Sequence, residues 1–221
     1  VGADIVNADW VRESANMGGP LNTLTGSGVI VGVMDSGLDN AVVCSDLADC
    51  NTKNSGIMSD FQGRIVGVEN FVQCGNSDGP EDPDGHGTHV AGTVLADGSS
   101  STGSTDYSGI APEAMIYMQS VHSVCSSNTD DQLATPSDYS TIFQPAYDAG
   151  ARVHTNSWGA NYQNNGYHTF ALRIDTQAHN LDDLTILYAM GNDGKDANAD
   201  GEVDTGYMNT HATAKNIISG G

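Results

Sequence analysis

Short apolar runs recur along the chain, separated by longer stretches in which apolar residues return every three or four positions. Residues 29–34 read VIVGVM, apolar almost throughout and rich in β-branched side chains, as expected of a strand covered on both faces. Residues 64–72, 115–121, 153–156, 184–190 and 216–219 repeat the pattern, so six strands are predicted, the last as an interior strand. Between them, residues 87–96, 137–149 and 168–180 have helical periodicity. The first of these helices opens on a glycine-flanked turn, the second on Ser137 as the capping residue, and the third stops near Asn180. Alternation of this kind predicts an α/β fold, a mainly parallel twisted sheet with helices on both faces and right-handed crossovers. Ligands of such sheets gather at the carboxyl ends of the strands, which is where chemistry is to be sought.

Length and charge narrow the picture. A chain of 221 residues without a linker reads as one domain, and residues 97–108 form only a polar, Ser-rich loop. With 28 acidic residues against 7 Lys and Arg the net charge is −21, too few cations for a phosphate-binding patch, so nucleic acid is excluded as a partner. The acidity fits solubility in a salty or cold medium, or carboxylates that bind calcium, and both can hold together. No run of about 18 apolar residues is present, so no membrane span is predicted. The start, Val1-Gly2-Ala3-Asp4, has the look of a mature terminus left by processing. Cys44, Cys50, Cys74 and Cys125 lie in loop-like sequence without CxxC spacing, which favours disulfides in an oxidising compartment. Cys44 with Cys50, closing a short loop, and Cys74 with Cys125 is the pairing expected, with free buried thiols as the alternative.

Two positions carry candidate chemistry. Asp35 follows directly on the first strand in VGVMDSG, where the strand lifts a carboxylate to the rim of the sheet and Ser36-Gly37 turns the chain away. An Asp capping a turn after a strand is the plain alternative. His86 stands between glycines in DGHGTHVAGT, at the first turn of a helix, where backbone and substrate can approach closely. An imidazole there is a candidate general base, with a carboxylate on Nδ1 to fix its tautomer. His86 and His89 as zinc ligands compete with this reading, although no third ligand follows at metal-site spacing.

VGVMDSGLD, DGHGTHVAGT, SGIAP at 108–112, TNSWG at 155–159 and AMGNDG at 189–194 occur in the order and approximate spacing of the subtilisin-like serine proteases. The resemblance spans nearly the whole chain, is closest to the oxidatively stable alkaline protease branch in HTNSWGA, and rests most specifically on HGTHVAGT. It implies a secreted endopeptidase, processed from a precursor, that cleaves protein and peptide substrates through an Asp-His-Ser triad. Asp35 would be the triad acid, His86 the base and Asn192 the side-chain donor of the oxyanion hole. Ser157, Trp158 and Gly159 would pair with substrate backbone, and Ala189, Met190 and Gly191 would form the facing wall of the primary specificity pocket, with broad specificity. Trp158 could equally be a core aromatic.

Residues 196–204, DANADGEVD, place oxygen ligands at alternate positions ahead of a turn-making Gly201. Asp196, Asn198, Asp200, Glu202 through its carbonyl, and Asp204 are expected to bind Ca2+, although Tyr207 stands where an EF-hand has its bidentate Glu. A solvated acidic turn is the alternative. Asp46 falls where many subtilisins have another calcium ligand, but in different surroundings. The family's GTSMA-type serine segment is not found, and Ser27, Ser36, Ser108 and Ser157 do not combine a helix start with a position after Asn192. Residues 1–221 are therefore expected to be a partial catalytic domain. The serine would come from a C-terminal serine-bearing fragment or second chain of the same protease, and a propeptide or inhibitor is a further partner the resemblance allows. A truncated, inactive fragment or a calcium-dependent protein-binding module is the competing reading.

Overall fold

A computed structural model describes residues 8–12, 24–71, 79–102, 107–123, 132–133, 135–160, 166–192, 194–202 and 208–221. Its centre is a six-stranded sheet of β1 (Ile30–Asp35), β2 (Ile65–Asn70), β3 (Met115–Ser120), β6 (Val153–Asn156), β7 (Thr185–Ala189) and β8 (Ile218–Gly220). The spatial order is β2-β3-β1-β6-β7-β8 and every neighbouring pair runs parallel. Two residues each, β4 (His122–Ser123) and β5 (Gln132–Leu133), make a separate antiparallel ribbon. All six predicted sheet strands are thus present, within two residues at each end. Among the described residues β8 pairs with β7 alone and is the outermost strand of the sheet. Ile218 and Gly220 of β8 are exposed, with Ser219 half-buried between them.

Alternation along β1 sorts the core into two layers. Val31 and Val33 face α3 (His86–Leu95) and pack with Ala91, Leu95, Ile116 and Met118. Met34 faces the other way, where Ile186 and Tyr188 of β7 meet Ile142 and Phe143 of α4 (Ser140–Asp148) and Ala171 and Ile174 of α5 (Thr169–Asn180). Both faces are therefore covered, which explains the unbroken apolar character of the strands. A short α1 (Ala8–Arg12) precedes the sheet. No described helix is long and apolar enough to cross a membrane.

Helix ends follow local capping chemistry. α4 starts at Ser140, three residues later than expected, because Asp138 rather than Ser137 accepts from the Ser140 amide (2.9 Å) and hydroxyl (2.7 Å). An unexpected α2 (Leu47–Lys53) is capped by Asp46, whose carboxylate accepts from Ala48 N (2.9 Å) and Asp49 N (3.0 Å). α2 brings Cys50 to Cys44, and the two form the expected disulfide with Cα atoms 5.1 Å apart. Cys74 and Cys125 lie outside the described residues.

The chain moves from β1 outward through β2 and returns to β3 on one side, then continues through β6, β7 and β8 on the other. The carboxyl ends of β1 and β6 therefore border the point where the winding reverses, the place where open α/β sheets form their crevice. Asp35 ends β1, and Ser157 follows β6.

Candidate active site

β1 delivers Asp35 to the rim with only 2% of its surface exposed, and α3 places His86 at its first position with its side chain about half exposed (51%). His86 Nδ1 lies 2.6 Å from Asp35 Oδ1. The same oxygen accepts from Ser36 N at 2.8 Å, and Asp35 Oδ2 has no hydrogen-bond partner among the described residues. Burial raises the Asp35 carboxyl above its ordinary range despite the opposing His86 and Ser36 bonds. His86 is held above its usual value first by the hydrogen bond to Asp35, against some desolvation, with the charges of Asp35, Asp84 and Asp82 adding to it. An imidazole bonded to a carboxylate through Nδ1 keeps Nε2 free to accept a proton on the open side.

The approach of the two elements depends on glycine. A Cβ on Gly87 would run into the Gly37 backbone, 2.7 Å from its nitrogen, and one on Gly37 would run into the 80–81 backbone. Gly85 caps α3 in the left-handed region at φ 82°. Asp82, four residues ahead of His86 and 8% exposed, accepts from Gly85 N (3.0 Å), Thr88 N (2.7 Å) and the Ser36 hydroxyl (2.7 Å). Sequence reasoning passed over Asp82; an acidic residue just ahead of a helix start was the signal for it.

The other half of the site follows β6 and β7. Ser157 is half-buried, and Trp158 is 8% exposed, its ring edge-on to Tyr188 (5.4 Å) and His211 (5.0 Å), so its side chain belongs to the core rather than a rim. Ala189, Met190 and Gly191 are half-buried at the end of β7, and Asn192 is exposed just beyond. Asn192 thus stands at the same edge of the sheet as Asp35, two strand spacings across, about 10 Å by sheet geometry. One residue joins the segments after β6 and β7. Asn209 donates from Nδ2 to Trp158 O (3.2 Å) and from its backbone N to Met190 O (2.6 Å). A Cβ on Gly159 would overlap the Asn209 amide group, so Gly159 is the residue that lets this bridge form. Nothing in the local sequence marks Asn209, whose part is purely tertiary.

In the acidic loop the carboxylates fold back on their own backbone. Asp196 accepts from Asp200 N (3.0 Å) and Gly201 N (2.9 Å), Asn198 Oδ1 from Asp200 N (3.1 Å), and Asp200 from Glu202 N (2.9 Å). Gly201 has φ 89°, the sharp left-handed turn that a wrapped cation loop needs at its sixth position. The all-oxygen donor set and this turn fit a hard cation, with Asp204 outside the described residues. No group of three or more His, Cys, Asp or Glu gathers as a metal site among the described residues. His86 Nδ1 is bonded to Asp35 and so is not open to a zinc ion.

The whole architecture has counterparts among solved proteins. The CspB protease of Clostridium perfringens superposes with a TM-score of 0.56 at 23% identity, over 87% of this chain and 40% of that one. In sequence the chain is 32% identical over 208 residues to the serine protease/ABC transporter B family protein tagD of Dictyostelium discoideum, covering 90% of this chain and 10% of that protein. It is 39% identical over 92 residues to the serine protease AprX of Bacillus subtilis strain 168, covering 42% of this chain and 16% of that protein. The chain thus spans about a tenth to a sixth of these curated relatives' length. Residues 26–221 match the subtilase family of peptidases throughout, and the chain belongs to that family.

Proposed function

We propose that this chain supplies the acid, the base and an oxyanion donor of a secreted serine endopeptidase of broad specificity. The observation that carries the reading is the 2.6 Å contact between His86 Nδ1 and the buried Asp35, on an imidazole that is otherwise open. In the reaction a serine hydroxyl attacks the scissile carbonyl while His86 Nε2 takes its proton. Asp35 holds the tautomer and stabilises the imidazolium, and His86 then gives the proton to the leaving amine, leaving an acyl-enzyme for water to hydrolyse. The Asn192 amide stabilises the oxyanion; removing the matching donor in subtilisin costs about 10²–10³ in turnover. The serine belongs to a C-terminal serine-bearing segment or second chain of the same protease. Substrate backbone lies along Ser157, Trp158 and Gly159, opposite Ala189, Met190 and Gly191. Asn209 supports this reading, because it ties those two walls together.

The residues of the 196–202 loop, with Asp204, would hold Ca2+, which supplies charge balance and rigidity to the loop rather than a reacting group. The disulfide between Cys44 and Cys50 supports an oxidising, extracellular destination.

The test is a serine-directed fluorophosphonate probe applied to the purified protein, followed by mass spectrometry under denaturing conditions. A label on a serine outside residues 1–221, lost on His86→Ala, is the expected result. Probe-resistant protein in which the serine-bearing segment is present would overturn the reading.

A further inference from the structure

Ser36 has one hydroxyl proton and two carboxylates within reach. Its Oγ lies 2.7 Å from Asp82 Oδ1 and 3.3 Å from Asp35 Oδ1, while accepting from Gly87 N at 2.7 Å. The shorter contact takes the proton, and the Gly87 amide occupies a lone pair. Asp35 Oδ1 is the oxygen already bonded by His86 Nδ1 and by Ser36 N. A third donor at that oxygen would compete with the imidazole for the same lone pairs.

We propose that Ser36 and Asp82 act as a positioning pair, in which Asp82 draws the Ser36 hydroxyl away from Asp35 and so reserves Asp35 Oδ1 for His86. The pair also fixes the distance between the two elements. Asp82 accepts from Gly85 N and Thr88 N at the start of α3, Ser36 accepts from Gly87 N, and Ser120 Oγ donates to Ser36 O at 2.9 Å from β3. Three backbone amides around His86 are therefore tied to this pair, Gly87 N to Ser36 and Gly85 N and Thr88 N to Asp82. Asp82 is 8% exposed and Ser36 4%, so water does not substitute freely for either partner. The inference rests on the reading of Asp35 and His86 as acid and base, but its observable, the state of the His86 ring, exists in this chain without a nucleophile.

The titratable groups bearing on His86 are Asp35 from β1 and Asp82 and Asp84 from the loop ahead of α3. Titration of the His86 ring by NMR in this chain, together with the resonance of its Nδ1 proton, reads the coupling directly. In Asp82→Ala the freed hydroxyl turns to Asp35 Oδ1, the Nδ1 proton resonance weakens, and the His86 midpoint falls by about one pH unit. Part of that fall is the lost Asp82 charge, so Ser36→Ala separates the two contributions. Combined with Asp82→Ala it removes the competing donor, and the His86 midpoint recovers part of the loss. Ser36→Thr, which keeps the hydroxyl, leaves the wild-type titration in place. Thermal unfolding of each variant confirms that a folded chain is being titrated. Folded Asp82→Ala with an unchanged His86 titration, or a double variant no different from Asp82→Ala, would overturn the proposal. Fluorophosphonate labelling that survives such a result leaves the protease reading intact, and failed labelling beside a normal NMR response sinks only that reading.

Discussion

His154 is fully buried, yet every bond it makes can be assigned. Gln119 donates from Nε2 to Glu69 Oε2 (2.7 Å) and Ile142 O (2.8 Å), which turns its carbonyl oxygen toward His154 Nε2 at 2.9 Å. Nε2 therefore carries the proton, and Nδ1 accepts from Asn156 Nδ2 at 3.2 Å. To reach from β6 to β3 the ring must cross β1, and it does so over Gly32, where a Cβ would collide with the ring. Gly32→Ala is expected to cost about 1–3 kcal/mol or more of stability by overpacking. Urea unfolding measures this, and a change below about 0.5 kcal/mol would show that the ring can move aside. Legibility at this scale divides by mechanism. The contact of Asp35 with His86 was readable because glycines and a strand end flag both residues locally, and Asp82 carried a local signal that was passed over, whereas Asn209 and the Gly32–His154 contact are set by residues brought together from separate elements.

Elements were readable where periodicity was strong. The sheet strands and three helices emerged from apolar spacing, while α2 escaped because its seven residues bury only Cys50 and carry no apolar stripe. Its start was nonetheless written in Asp46, whose carboxylate is spent on two amides of the helix and so has a structural duty in the position where a calcium ligand had been considered. β8 was found in the same way, and its pairing with β7 follows the parallel order that alternation predicts. The 196–202 loop turns at Gly201, where its sequence pattern expects a turn, and the binding of Ca2+ there is a proposal with its own test. Chelation with EDTA is expected to lower the thermal midpoint and Asp196→Ala to remove the calcium response, both followed by circular dichroism. A midpoint that ignores calcium would reduce the loop to a solvated turn.

At the scale of the molecule, two buried imidazoles link stability to acidity. Desolvation pushes His154 down to about 3 and His211 down to about 4, so both are neutral in the folded protein at pH 7. Unfolded, each takes up a proton as pH falls below about 6.5. The folded state binds fewer protons between about 6.5 and 4, so stability is fully present above that range and is lost as pH falls through it. The slope should approach about 3 kcal/mol per pH unit where both protons are taken up, at about 1.4 kcal/mol for each. His86 works in the opposite direction, since its raised value favours the folded state below the ordinary histidine range and loses that advantage on titration at higher pH. Urea midpoints measured from pH 7 to pH 4.5 test the balance, and a flat profile would mean that neither buried ring is protonated on unfolding.

The strand order has a kinetic consequence. β1, the earliest strand among the described residues, lies between β3 and β6, both of which come much later, so neither of its edges is satisfied by a neighbour in sequence. Two long loop closures must precede any contact that rewards them, which makes assembly slow. Asp35 pairs with Ser120 of β3 and lies one residue beyond the β6 pairing, so its burial is expected to follow the closure that brings β3 to β1.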